Sequence, residues 1–232
     1  MVDLSLFESN LGYSFQDKKL LHEAITHRSY LNENRAWKFP HNERLEFLGD
    51  AVLELVVTEY LFSRFSLPEG LLTSYRASLV NAQSLAEASR QIGLNDFLLL
   101  SRGEARDSNG KGRMEILGNA LEAVVGALYL DGGYDAAQQL INRLLMPKLA
   151  LIIDKKLYRD PKSRLQEEAQ ARVGKTPVYK LINEWGPDHE KQFLIGVYLG
   201  DEEIAQGTGR SKQDAETSAA QNALKKTRWN NY

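Results

Sequence analysis

The sequence predicts two domains: an all-α unit over residues 1–157, then a small α+β unit of α-β-β-β-α order over residues 158–232. Three observations carry this. Apolar residues recur at helical spacing through the first two thirds of the chain, with no convincing strand before residue 175. After about Leu157 the period changes to the alternation of half-buried strands. Between the two lies a short charged stretch, Asp154-Lys155-Lys156.

Taken in order, Leu20, Leu21, Ala24 and Ile25 repeat at helical spacing, and residues from about Glu43 to Phe62 form a long, mostly apolar helical run. Helices are also predicted over Ser84 to Ile92, Ile116 to Leu130 and Tyr134 to Leu151. The turn signals are Leu67-Pro68-Glu69-Gly70, Ser108-Asn109-Gly110 and Asp131-Gly132-Gly133. In the second unit a helix over Ser163 to Val173 precedes strands over Val178 to Trp185, Gln192 to Leu199 and Glu203 to Gly207. Gly200-Asp201 marks a tight turn, and Ser211 opens a last helix to about Lys226.

Composition narrows the function classes. The chain has 232 residues, 43 % hydrophobic, and no cysteine, which rules out disulfides and thiolate metal sites. No stretch approaches the ~20 apolar residues of a membrane span. Met1-Val2-Asp3-Leu4 lacks the charged-then-apolar opening of a signal peptide. The expectation is a cytoplasmic protein without a membrane partner. Net charge is −2; residues 1–158 hold 17 Lys and Arg against 20 Asp and Glu, and residues 159–232 hold 12 against 11. Any nucleic-acid contact must therefore come from local patches.

The acids of the first unit are the clearest chemical signal. Glu43, Glu46 and Asp50 stand at i, i+3 and i+7, on one helix face. Leu45, Phe47, Leu48, Val52, Leu53, Val56 and Val57 surround them, so the helix is expected to be largely buried. Buried carboxylates are costly unless paired or bound to a cation. A second apolar helix offers Asn119 and Glu122 at i, i+3. Oxygen donors without cysteine suit Mg²⁺ or Mn²⁺ better than Zn²⁺. Gly49, Gly118 and Gly126 would let the helices approach closely, although close packing alone explains them equally well. Glu69 by itself is an ordinary turn acid. His41 is placed to touch a phosphate or simply to start the helix.

The stretch Asn42-Glu43-Arg44-Leu45-Glu46-Phe47-Leu48-Gly49-Asp50 resembles the signature of the ribonuclease III family. Thr26-His27-Arg28-Ser29, Pro68-Glu69-Gly70, Arg76-Ala77-Ser78-Leu79-Val80, Glu122-Ala123 and Tyr129-Leu130-Asp131-Gly132-Gly133 support it. The resemblance is to the bacterial two-domain form and runs from about residue 5 to residue 227. It implies a homodimeric, Mg²⁺-dependent endoribonuclease that cuts double-stranded RNA by phosphodiester hydrolysis. The implied products carry 5′-phosphate and 3′-hydroxyl ends with short 3′ overhangs, and the implied role is processing of ribosomal and other structured RNA. It also implies Glu46, Asp50, Asn119 and Glu122 as the metal-ligand set, Asp50 and Glu122 as catalytic, Glu43 and Glu69 as accessory acids, and Phe47 in the dimer interface. Many members of the family have Asp at position 119; an amide oxygen still ligates a hard cation but brings no charge.

Residues 161–227 are similar to a double-stranded-RNA-binding domain. The matching features are Leu165-Gln166-Glu167, Pro177-Val178-Tyr179, Gly186-Pro187-Asp188-His189, Gly207-Thr208-Gly209-Arg210-Ser211-Lys212 and the Ala-rich last helix. Such domains read A-form shape across two minor grooves. The resemblance assigns RNA contacts to Ser163, Gln166, Glu167, His189, Arg210, Ser211, Lys212 and Gln213. Ser211 with Asp214 is a capping-box pattern, and a helix start beside Arg210 and Lys212 is a phosphate site. Where other members often place a second basic residue after Lys212, this chain has Gln213.

Two other readings compete. A protein that holds duplex RNA with weak or no cleavage would follow if Asn119 disabled the metal site. A carboxylate-bridged redox bundle needs Glu-x-x-His pairs, and none of Glu43, Glu46 and Glu122 has a His three residues on.

Overall fold

The structure, a computed structural model, describes residues 4–106, 110–158, 160–187 and 191–229. Met1 to Asp3, Ser108, Asn109, Asp188 and His189 lie outside the described residues. Contacts divide the chain into two compact units, Met1–Asp154 and Lys155–Tyr232.

The first unit is helical, as the 3.6-residue period requires. Its elements are α1 (Ser5–Leu11), α2 (Lys18–Ala24), α3 (Arg28–Glu33), α4 (Glu43–Arg64), α5 (Glu69–Leu79), α6 (Ala82–Gln91), α7 (Arg102–Arg106) and α8 (Lys111–Asp154), with a 3₁₀ turn at Leu94–Asp96. Side-chain caps set several starts: Asp17 accepts from the Lys19 amide, and Asn81 from that of Ser84. The turn expected at Asp131-Gly132-Gly133 is a break within α8, where Gly133 takes φ 75° and ψ −171°, a conformation open mainly to glycine. Asp131 accepts from Tyr13 Oη and from the amides of Gln16 and Asp17, tying the segment before α2 to this break.

The core lies between α4 and α8. Leu53, Val57 and Leu61 of α4, and Leu117, Leu121, Val124 and Leu128 of α8, are fully buried. Gly49 and Gly126 set the crossing. A Cβ at Gly49 would stand 1.7 Å from the Glu122 carbonyl oxygen, and one at Gly126 would stand 2.3 Å from that of Leu45. Backbone meets backbone there, which only paired glycines permit. Gly118 is different: its Cβ would make ordinary contact, 3.6 Å from Leu85 of α6. It does not belong to the α4–α8 crossing.

The second unit runs α9 (Pro161–Val173), β1 (Pro177–Trp185), β2 (Gln192–Leu199), β3 (Glu202–Gly209) and α10 (Lys212–Lys226). The strands form an antiparallel sheet in the order β1-β2-β3. Leu199 pairs with Glu202 across a two-residue turn in which Gly200 takes φ 70°. Leu165 of α9, Val197 of β2 and Ala219, Ala220, Ala223 and Leu224 of α10 form the core. The small α10 residues let β3 lie close: a Cβ at Gly207 would stand 2.1 Å from the Ala219 amide nitrogen. No helix among the described residues is long and apolar enough to cross a membrane.

Candidate functional site

The Gly49–Gly126 crossing positions the acids. Glu46 and Asp50 flank Gly49 on α4, and Glu122 lies one turn before Gly126 on α8. The three carboxylates repel one another. Burial, then Asp50, then Glu46 push the Glu122 carboxyl up to about 7. Glu46 is raised by burial first, then by Glu43 and Asp50. Among the described residues, none of these three side chains has an ion-pair or hydrogen-bond partner.

One expectation is corrected here. The acid-bearing helices are not buried all round: Glu46 and Glu122 are half-buried, whereas Glu43, Asp50 and Asn119 are exposed. The reason is geometric. At ~100° per residue, Leu45, Gly49, Val52, Val56 and their neighbours occupy one arc of α4, and the acids fall at its edge. The apolar residues that made the helix look fully buried include Phe47 and Phe62, which are 82 % and 78 % exposed. With Leu55 they form a second apolar face that the single chain leaves open. A rim position suits a reactive cluster, because a substrate can reach it.

The other named residues divide. Glu43 accepts from Arg28 Nη1 at 3.3 Å, and His41 Nδ1 lies 3.8 Å from its other oxygen, so the acid is tied at the start of α4. The sequence quoted Arg28 within Thr26-His27-Arg28-Ser29 but gave no sign of its pairing with Glu43, since two residues 15 apart give no local signal. Glu69 is not a turn acid but opens α5, where it accepts from Thr73 Oγ1 at 3.0 Å. It lines an apolar groove of about 420 Å³ with Leu61, Phe62, Leu72 and Arg76.

In the second unit Ser211 caps α10, accepting from the Asp214 amide at 3.0 Å. Arg210, Ser211, Lys212 and Gln213 are all exposed around that helix start, and Ser163, Gln166 and Glu167 are exposed on α9. Ser163, Gln166 and Gln213 share one groove with Tyr179, which the sequence quoted only as entering the first strand, and with Lys162 and Thr217, which the sequence did not single out. His189 lies outside the described residues.

An acid-bearing helical crossing followed by an α-β-β-β-α unit defines a nuclease domain joined to a duplex-RNA-binding domain, and the comparisons agree. The chain matches the family described as Ribonuclease-III-like over residues 17–149, and the double-stranded RNA binding motif over residues 161–227. It is 46 % identical over 227 residues to Ribonuclease 3 of a Nitratiruptor species, covering 97 % of each chain. It is 46 % identical over 225 residues to Ribonuclease 3 of Campylobacter fetus, covering 97 % of this chain and 98 % of the relative. A solved nuclease domain of ribonuclease III from Campylobacter jejuni, described for flexibility in a region involved in dimer formation, superposes with TM-score 0.55 at 43 % identity. That match covers 62 % of this chain and 97 % of the solved one. The chain belongs to the ribonuclease III family. It is an endoribonuclease with a double-stranded-RNA-binding domain, in a family that generally depends on a divalent metal.

The residues present fit such a metal in kind and charge. Two half-buried carboxylates and an exposed one cluster without a cation, and they offer only hard oxygen donors. As they stand, no three His, Cys, Asp or Glu side chains among the described residues are grouped closely enough to hold a metal ion, so Glu46, Asp50 and Glu122 would have to draw together around it.

Proposed function

We propose that the protein uses Mg²⁺, with Mn²⁺ as a substitute, to hydrolyse duplex RNA, leaving 5′-phosphate and 3′-hydroxyl ends with short 3′ overhangs. The observation that supports this is the coupling of Glu122, Asp50 and Glu46 across the glycine crossing, which pushes Glu122 up to about 7. Glu46, Asp50, Asn119 and Glu122 would hold the ion, with Asp50 and Glu122 essential to the chemistry. A divalent cation there supplies charge neutralisation at the phosphate and an activated water. Glu46 and Glu122, half-buried against the crossing, keep their carboxylates fixed, while exposed Asp50 and Asn119 meet the incoming strand. Glu43 and Glu69 act as accessory acids beside the RNA path. The domains span residues 1–157 and 158–232, the second gripping RNA through Ser163, Gln166, Glu167, His189, Arg210, Ser211, Lys212 and Gln213. The setting is the cytoplasm, and the role is processing of ribosomal, messenger and other structured RNA.

The test is a Mg²⁺ titration of cleavage on one duplex RNA, comparing the wild type with Asn119→Asp. The exposed amide lacks the charge that Asp would bring. An added unit charge gains ~2 kcal/mol against a divalent cation at ~4 Å in water, offset in part by repulsion from the neighbouring acids, so the Asp variant should need about fivefold to thirtyfold less Mg²⁺. Identical curves would remove residue 119 from the ligand set. A wild type that binds duplex RNA without cutting it, while Asn119→Asp cuts, would favour the alternative of a binding protein.

We also propose a homodimer, in which two acid sites cut opposite strands. The open apolar face of α4, Phe47 with Leu55 and Phe62, is too large to leave to water in a stable monomer. Sedimentation of the full chain should show a dimer. Phe47→Ala should raise its dissociation constant by at least about tenfold, the scale of a buried aromatic anchor. A monomeric wild type would refute the assembly.

A further inference from the structure

The start of α4 is fastened to the end of α2 rather than capped. Asn42 stands at the N-cap position, where an asparagine side chain ordinarily accepts from an amide of the first turn. Here it makes no such bond. It is 3 % exposed, and its Nδ2 donates instead to the Ala24 carbonyl oxygen at 3.2 Å. The Asn42 backbone amide donates to the Thr26 carbonyl at 2.9 Å. The other carbonyls between Leu21 and Thr26 are also taken. Leu21 accepts from the Ile25 amide, His22 from Thr26 Oγ1, Glu23 from the Thr26 amide and Ile25 from the Leu99 amide. The carbonyls left over where α2 ends are thus all matched, two of them by Asn42.

This tie bears on the acids. The Asn42 carbonyl accepts from the Glu46 amide at 2.9 Å, so Glu46 lies one helical turn from the anchored residue. The next fixed point along α4 is Gly49, set against the Glu122 carbonyl. Glu46 therefore sits between two anchors, and Asp50 directly follows the second. A helix free to slide or turn at its start would carry Glu46 away from Glu122, with which it interacts across the crossing. A side-chain cap would suffice to begin a helix; giving it up for a bond to another element serves placement instead. We propose that Asn42 is a positioning residue for the acid cluster: its amide pins the first turn of α4 to α2 and so holds Glu46 where it meets Glu122 and a divalent cation. The inference rests on the metal reading of these acids and adds to it a residue that touches neither metal nor substrate.

Asn42→Ser and Asn42→Ala separate the tie from a cap. Serine caps a helix about as well as asparagine and alanine does not, but neither side chain has the reach of the amide. Asn10→Ser is the control for lost stability, because Asn10 Nδ2 likewise donates to a carbonyl, that of Ile92 at 3.1 Å, outside the acid-bearing helices. Mn²⁺ binding to each full-length protein without RNA is followed by the EPR signal of the free ion. The melting midpoint in EDTA, and kcat and KM on one duplex RNA at a fixed Mn²⁺ concentration, are measured beside it. Both Asn42 variants should bind Mn²⁺ about tenfold more weakly or worse, the scale of losing a group that orients a metal ligand. Their kcat should fall by a like factor while KM holds, because the second unit still grips the duplex. Asn10→Ser should lower the midpoint and keep both Mn²⁺ affinity and kcat. Unchanged Mn²⁺ binding in the Asn42 variants, a loss in Asn42→Ala alone, or an equal loss in Asn10→Ser would each overturn the proposal. A wild type that binds no Mn²⁺ would instead overturn the metal reading beneath it.

Discussion

Glu122→Gln is expected to lose cleavage on the order of 10³-fold, about 4 kcal/mol of transition-state stabilisation, while binding duplex RNA normally in EDTA. Gln keeps the shape and one oxygen donor, so the loss would report charge rather than packing. Metal-free stability should move the other way. The Glu122 carboxyl is raised from 4.5 to about 7, so its ionised form is the disfavoured one in the fold. The stability it allows is complete below about 4.5 and is lost as pH rises through about 7. In EDTA the Gln variant should therefore melt above the wild type at pH 8, and the gap should close towards pH 5. Saturating Mg²⁺ should narrow the gap at pH 8, because a bound cation favours the ionised carboxyl. Wild-type turnover in the variant, or a gap independent of pH, would remove Glu122 from the acid cluster.

How much of this was legible in the sequence depends on the kind of signal. Period and punctuation located the second unit well. Alternation placed β2 over Gln192–Leu199, Gly200 marked the hairpin, and Ser211 marked the α10 cap. The long helices α4 and α6 and both halves of α8 were also legible, because each repeats an apolar stripe over several turns. The short helices α1, α3 and α7 offer too few turns to show a stripe. At α5 the Pro68-Glu69-Gly70 turn signal hid a helix start, since proline before an acid opens helices as readily as turns. Burial was the weakest inference. The ring of apolar residues on α4 reads in sequence as one core contact, although only one arc meets α8 and Phe47 and Phe62 face outward. Lys162, which lies over the Tyr179 ring and pairs with Glu216, was invisible as a link because the three residues sit on α9, β1 and α10, which only the fold brings together.

The glycine crossing gives the sharpest contrast. Gly49→Ala puts a methyl group where the Glu122 carbonyl oxygen stands, 1.7 Å away, and neither partner is the free end of a flexible side chain. The two helices must separate. Overpacking usually costs 1–3 kcal/mol, and a collision between backbones belongs at about 3 kcal/mol or more. For a domain of this size that lowers the melting midpoint by about 6–12 °C. Cleavage should fall further than stability alone explains, because the separation carries Glu122 away from Glu46 and Asp50. Gly118→Ala, on α8 with Gly126 and Glu122, is the control. Its Cβ would make ordinary contact 3.6 Å from Leu85, and its φ is not positive. Alanine there gains up to about 1 kcal/mol of helix propensity and leaves the crossing alone. The expected result is one glycine that cannot be replaced and one, two turns from Gly126, that can. If Gly49→Ala melted with the wild type and cut RNA at the same rate, the close approach of α4 and α8 would not be what assembles the acids.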